Sequence, residues 1–214
     1  MRAGIPALLF LPCLFGQQFT SSNVHVWPDR MTLTVGAPRP MAVVKGAPYS
    51  AEQIQESPQG KVYTIGRFER DSQGRERSET AAKPAAVWFL EILDPVAGAA
   101  YLLDPDNRVA HRMALAVSAA ATESRPPWKS EPLGSQVIEG VVAQGTRASG
   151  PLTLEFWDSP ELKLNLVTRS SNGYSTLLRN LSRAEPDPSH FRPPADYAVA
   201  DHAGPFPFAL KVPQ

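Results

Sequence analysis

The chain has 214 residues, 43% of them hydrophobic, with 21 basic and 21 acidic side chains and no formal net charge. Such a balance supplies no field to draw in nucleic acid or an anionic membrane surface, so partners held by bulk electrostatics are excluded. Proline is the informative residue: 22 of them, about twice ordinary usage, work against long helices and favour short strands joined by turns.

Arg2 precedes an almost unbroken apolar run over residues 5–15, after which the chain turns polar at Gly16, Gln17 and Gln18. A short basic start, an apolar stretch of about 11 residues and a small residue at a cutting point together predict a signal peptide over residues 1–16. A bilayer span needs about 20 residues, so a membrane anchor is the weaker reading. Cys13 is the only cysteine, and Pro12 stands where a lipoprotein signal carries a small residue, which argues against acylation. Cutting after Gly16 leaves a mature chain with no thiol, no disulfide and no transmembrane span, addressed to the periplasm or the medium.

Residues 17–45 read as an irregular N-terminal arm. Pro28, Pro38 and Pro40 interrupt it, and only the alternation over residues 31–35 suggests a strand. From residue 46 to 199 the pattern is that of a single β domain. Residues 62–70 form a strand, Asp71, Ser72, Gln73 and Gly74 a turn, and residues 75–80, with alternating charge, a solvated return strand. Residues 86–93 are the most apolar run, with Trp88, Leu90 and Ile92 on one face and Glu91 on the other. Asp94, Pro95 and Gly98 mark the next turn; residues 99–103 form a strand, Asp104 to Asn107 turn again, and residues 108–115 return with Val109, His111, Met113 and Leu115 on one face. Connections this short make an antiparallel meander.

Residues 114–122, rich in alanine, suggest two turns of helix, and residues 123–133, with Pro126, Pro127 and Pro132, a loop. Strand patterns resume over 137–145, 152–157, 162–168 and 175–183; Leu162, Leu164 and Leu166 alternate with Lys163 and Asn165 in the plainest half-buried strand of the chain. Phe191 reads as an apolar plug in a proline-rich closing stretch, and residues 200–214 as a loose tail. About nine short strands with at most one or two short helices predict a mainly β fold: a curved antiparallel meander sheet or incomplete barrel, with a two-sheet sandwich as the alternative.

Motifs for chemistry are scarce. The four histidines, His25, His111, His190 and His202, lack metal-site spacing, and nucleophile elbows and phosphate loops are absent, so no catalytic residue, metal or cofactor is predicted. Asp104, Asp106 and Asn107 fit turn chemistry better than a calcium loop, because Pro105 intervenes and the later glutamate is missing. The charged cluster Arg67, Glu69, Arg70, Asp71, Arg75, Glu76, Arg77 and Glu79 reads as a solvated hairpin or as a polar recognition edge. Asn180, Leu181 and Ser182 form a coincidental glycosylation sequence within a strand pattern. Phe68, Trp88, Phe89, Phe156 and Trp157 are core by default; if the sheet leaves a concave apolar face, they are the candidate ligand-binding residues.

Three stretches stand out: residues 63–77 with Arg70-Asp71-Ser72-Gln73-Gly74-Arg75; Ile92-Leu93-Asp94-Pro95-Val96-Ala97-Gly98 with residues 101–105; and Trp157-Asp158-Ser159-Pro160-Glu161-Leu162 with residues 183–197, which open on Arg183-Ala184-Glu185-Pro186-Asp187-Pro188. Together they resemble a group of uncharacterised exported bacterial proteins. The strand order, closing on a Phe-x-Pro-Pro end at Phe191, is also similar to the half-barrel of periplasmic lipoprotein carriers (LolA-like) and of a related envelope-stress sensor domain. That resemblance implies a lipid, a lipoprotein or an envelope protein as partner, although the carrier fold places helices in its concave face and only residues 114–122 offer one here. The expectation is therefore an exported, non-enzymatic protein that binds an apolar ligand or a partner protein on a concave sheet face. The alternatives are a secreted hydrolase-like enzyme using loop carboxylates such as Asp104, Asp158 or Glu161, and a structural module of the envelope.

Overall fold

The structure, a computed structural model, describes residues 18–82, 87–118 and 128–212. In chain order the strands are β1 (Phe19–Val26), β2 (Arg30–Pro38), β3 (Met41–Ala42), β4 (Tyr49–Glu56), β5 (Val62–Arg70), β6 (Glu76–Ala82), β7 (Val87–Asp94), β8 (Ala99–Asp104) and β9 (Val109–Ala114). They continue with β10 (Val117–Ser118), β11 (Lys129–Ile138), β12 (Val141–Ser149), β13 (Thr153–Ser159), β14 (Leu164–Ser170), β15 (Ser175–Ser182), β16 (Ala198–Asp201) and β17 (Phe206–Lys211). A single 3-10 turn, Pro188–Phe191, is the helical element among the described residues.

Twelve strands form one sheet in the order β11-β12-β13-β14-β15-β4-β5-β6-β7-β8-β9-β16, antiparallel throughout except at the β9–β16 edge, and it does not close into a barrel. The fold is mainly β, a long meander, as the turn chemistry predicts. Aspartates set the turns. Asp71 Oδ1 accepts the Gln73 and Arg75 N–H groups at 3.0 and 2.8 Å, Asp94 Oδ1 those of Val96 and Ala97 at 2.9 Å, and Asp104 Oδ1 that of Asn107 at 3.0 Å. Each carboxylate satisfies the backbone donors that a reversing chain frees, which is why aspartate opens turns. Gly74, at φ +85°, allows a close approach, since a Cβ there would lie 2.6 Å from Val43 Cγ1.

The two halves of the meander are one sheet, joined where β15 pairs with β4, Ser175 beside Glu56 and Ser182 beside Ser50. Over the other end lies a separate three-stranded sheet, β1-β2-β17. Met31, Leu33 and Val35 of β2 and Phe206, Phe208 and Leu210 of β17 are buried in one cluster with Phe89, Leu93, Ala100, Leu102 and Met113 of β7, β8 and β9. The sandwich alternative, in which the two blocks face each other, is not the arrangement found; the small sheet packs over this end instead. A second cluster gathers Tyr49, Ala51, Phe68, Val141, Leu162, Leu164, Leu166 and Leu177, so strands β4, β5, β12, β14 and β15 share an apolar face.

Several expectations are corrected. Residues 17–45 are no irregular arm beyond residue 18: they hold β1 and β2, with Pro28 in the connecting turn, closed by Trp27 N–H donating to the Arg30 carbonyl at 2.8 Å, and Pro38 as the last residue of β2. Prolines that suggest a broken segment instead punctuate its ends. Residues 200–212 are no loose tail, because β17 buries Phe206, Phe208 and Leu210 against β2 and tolerates Pro207 on an edge strand. The expected loop over 123–133 is a strand from Lys129 onward, and Pro132 sits at an irregularity in edge strand β11. Of the expected helix over 114–122, Ala114 ends β9 and Val117–Ser118 pair in parallel with Met41–Ala42; residues 119–122 lie outside the described residues, as do residues 1–17 and with them the signal-peptide expectation. Phe191 is 1% exposed and plugs the closing stretch as read. Among the described residues no helix is long and apolar enough to cross a membrane.

Candidate functional site

The charged cluster of β5 and β6 is not a free hairpin. Both strands lie inside the large sheet, flanked by β4 and β7. Side chains alternate across the pleat, so the cluster divides between its two faces.

On one side the charges are buried. Arg70 is 1% exposed: its Nε and Nη2 donate to the Ala47 carbonyl at 3.0 and 2.9 Å, Nη2 also donates to the Leu162 carbonyl at 2.5 Å, and the guanidinium lies 4.9 Å from the Tyr49 ring centroid. Asp71, equally buried, accepts from Arg75 Nε at 2.5 Å, and the Arg75 guanidinium covers the Phe191 ring. A planar cation with five fixed donors is the side chain best suited to join three chain segments from inside.

On the other side the charges line a groove of about 580 Å³. Its floor comes from β4, β5 and β6, through Glu52, Arg67, Phe68, Glu69, Arg77 and Glu79; Asn180 closes one side, and Ser189, His190, Arg192 and Pro194 of the closing stretch form the rim. Opposite charges alternate across the strands. Arg67 Nη1 lies 3.4 Å from Glu79 Oε2 and Arg67 Nε 3.7 Å from Glu52 Oε1, while Arg77 Nη2 is 2.6 Å from Glu79 Oε1. Asn180 Nδ2 donates to Glu52 Oε2 at 3.0 Å. Glu69 Oε2 holds His190 Nδ1 at 2.8 Å, bringing together two residues far apart in the chain. Arg192 is exposed on the rim and makes no ion pair among the described residues.

The five aromatic candidates are not brought together. Phe68 borders the groove between Arg67 and Glu69, but its buried side chain belongs to the second apolar cluster on the opposite face. Trp88, half-buried, lies 5.5 Å from the Arg67 guanidinium. Phe89 points to the opposite face of β7 and packs 6.3 Å from Phe208, and Phe156 belongs to a separate cluster with Ala148, Leu154 and Trp128. Trp157 packs against the second apolar cluster, its ring 2.8 Å from where a Cβ on Gly145 would lie.

The loop carboxylates are each already engaged by a neighbouring side chain. Asp104 Oδ2 accepts from Asn107 Nδ2 at 2.8 Å, Asp158 Oδ1 accepts from Asn165 Nδ2 at 2.8 Å, and Glu161 is ion-paired with Arg183. Asp104 sits at the β8–β9 turn and the other two at the β13–β14 turn. Among the described residues no group of three or more metal-ligating side chains could hold an ion.

Two further groupings escaped the sequence reading. His111 Nδ1 and His202 Nε2 lie 2.9 Å apart, with Phe206 stacked 3.9 Å from the His202 ring and 4.7 Å from the His111 ring. Burial lowers the His111 pKa, and the neighbouring His202 lowers it further. Glu91 faces the small sheet, not solvent: it is 1% exposed and accepts from Gln18 N at 3.0 Å, Phe19 N at 3.3 Å and Ser78 Oγ at 3.2 Å. Burial pushes its carboxyl up to about 7 despite those donors. Only a pairing across the whole chain could have shown either grouping.

No family model and no curated protein matches the sequence. Two solved structures of PNGF-II, in P21 and C2 space groups, are similar over 73% of this chain at 10% identity, with TM-scores of 0.40 and 0.38. The chain covers 32% and 31% of those two chains. Likeness at that level carries no argument about activity.

Proposed function

We propose that the protein is an exported binding protein of the periplasm or cell envelope that holds a polar segment of a partner protein in the groove over β4, β5 and β6. The observation that carries this reading is the groove's wall of mutually paired charges, with Arg192 unpaired on the rim. Side chains fixed by one another are presented without further loss of rotamer freedom, the condition under which a surface recognises a partner at low entropic cost. Charges of both signs also select against ill-matched partners more strongly than they add raw affinity. The export half of the reading rests on the basic, apolar and polar order of residues 1–18. Four of the five aromatic residues lie outside the groove lining, which turns the reading from an apolar ligand toward a partner protein.

The test has two arms. Fractionation of cells expressing the full chain, with and without residues 1–16, should place the intact chain's product in the periplasm and leave the shortened one in the cytoplasm. A random peptide library panned on purified protein should yield binders whose affinity falls at least tenfold in the Arg67→Glu, Arg192→Glu double variant and with rising salt. A tightly held lipid seen by native mass spectrometry, or peptide binding indifferent to both substitutions, would overturn the groove assignment.

A further inference from the structure

The charges of the groove are satisfied in its middle and not at its ends. Its lining carries three carboxylates, Glu52, Glu69 and Glu79, and three guanidinium groups, Arg67, Arg77 and Arg192. In the middle they take one another: Glu79 pairs with Arg67 at 3.4 Å and with Arg77 at 2.6 Å, and Glu69 holds His190 at 2.8 Å. At the β4 end, Glu52 Oε2 accepts from Asn180 Nδ2 at 3.0 Å, but Oε1 meets Arg67 Nε only at 3.7 Å, beyond hydrogen-bond range, and the side chain is 41% exposed. At the far end, Arg192 follows the 3-10 turn, which packs against β6 and β7, and its exposed guanidinium has no ion pair among the described residues. The backbone there is fixed, because Phe191 before it is 1% exposed and Pro193 and Pro194 follow it. The open anion and the open cation are therefore two or three strand spacings apart, roughly 10–14 Å, a span that extended chain covers in about three or four residues.

We propose that the groove selects partner segments that carry one basic and one acidic group about three or four positions apart in extended chain, the basic group seated at Glu52 and the acidic group at Arg192. The inference rests on the groove being the binding site and adds the charge pattern of its occupant. A segment with two like charges would gain attraction at one end and meet repulsion at the other, so opposite signs are the complementary choice. A charge placed between the ends would have to displace a pair that Glu79 or Glu69 already makes, so the intervening residues are neutral. Arg77, held by Glu79 at 2.6 Å, is not available to take the acidic group, whereas Arg192 gives up no partner to do so.

The test titrates the purified full chain with fluorescent synthetic peptides of about ten residues, built of glycine, serine and one leucine and blocked at both ends. Each carries one arginine and one aspartate at a set spacing, in either order; controls carry two arginines, two aspartates or no charge. Peptides with the charges three or four positions apart should bind at least tenfold more tightly than the like-charged controls and than peptides with the two charges adjacent. Glu52→Gln should erase the advantage of the arginine and Arg192→Gln that of the aspartate, each leaving the affinity of the uncharged peptide unchanged. A second series with a free carboxyl end in place of the aspartate tells whether Arg192 takes a side chain or a chain terminus, and either places a carboxylate there. Equal affinity at every spacing, a preference for like charges, or a spacing preference that survives both substitutions overturns the inference. Peptides panned from the random library separate the two failures: if they bind in the groove without this charge pattern, the inference alone falls, and if none binds, the groove reading falls with it.

Discussion

Replacing Arg70 by methionine tests whether the buried guanidinium holds the two halves of the sheet together. Methionine matches the stem's volume, so packing is largely kept and the loss is polar. Three charge-assisted bonds disappear, two to the Ala47 carbonyl and one to the Leu162 carbonyl, and Glu76 loses a cation 3.9 Å away. Exchanging a whole buried ion pair for apolar residues is often neutral, but here the acceptors stay behind in the core without those donors. Each bond to a charged donor contributes about 1.5–3 kcal/mol, partly offset because the guanidinium no longer has to leave water. The expected net loss is about 3–5 kcal/mol. In urea, with a slope of about 2 kcal/mol per molar, the midpoint should fall by roughly 1.5–2.5 M. Arg70→Lys keeps the charge without the fork, and should lose about half as much. A loss below about 1 kcal/mol for Arg70→Met would refute the reasoning, since it would mean that both carbonyls find other donors at little cost.

Glu91 sets a pH dependence of known sign. With the folded carboxyl at about 7, the native chain holds a proton that the unfolded chain has released, so stability falls as pH rises from about 4.5 to 7, by about 3 kcal/mol, and Glu91→Gln should flatten that slope in urea titrations. His111 works oppositely: its lowered pKa makes the unfolded chain bind the proton first, so acidification below about 6.5 should loosen the β9–β16 edge, read as faster amide exchange at residues 198–201, and His111→Gln should remove the effect. Phe191→Ala should cost about 3–5 kcal/mol of stability by opening a cavity under Arg75, visible as a lower thermal midpoint.

What the sequence made legible was local. Asp71, Asp94 and Asp104 each bond backbone within four residues, so the turns, and with them the meander, are readable from short windows. The alternation of Leu164 and Leu166 with Asn165 places β14 for the same reason. Illegible features are those whose partners lie far along the chain. β1 is exposed over nearly its whole length and shows no apolar alternation, while β17 hides its alternation behind Pro207; both are held by β2. Arg70 and Asp71 read as solvent-facing because charge ordinarily marks the wet face of a strand, and only acceptors and donors brought from Ala47, Leu162 and Arg75 allow their burial. The groove followed the same rule: Glu69 was visible within a charged cluster, but nothing near it in sequence announced His190.

The strand order has a consequence for the timing of folding. β2 receives its second neighbour only from β17, which pairs Arg30 with Lys211, and β4 receives one of its own only from β15. A chain still emerging from the ribosome therefore carries two unfilled edges until β15 and β17 are free. Loop closure over such distances is slow, so the small sheet is completed last. A protein truncated before Phe206 would leave an edge of β2 open and remove Phe206, Phe208 and Leu210 from the cluster they share with Met31, Leu33 and Val35, which favours aggregation over folding.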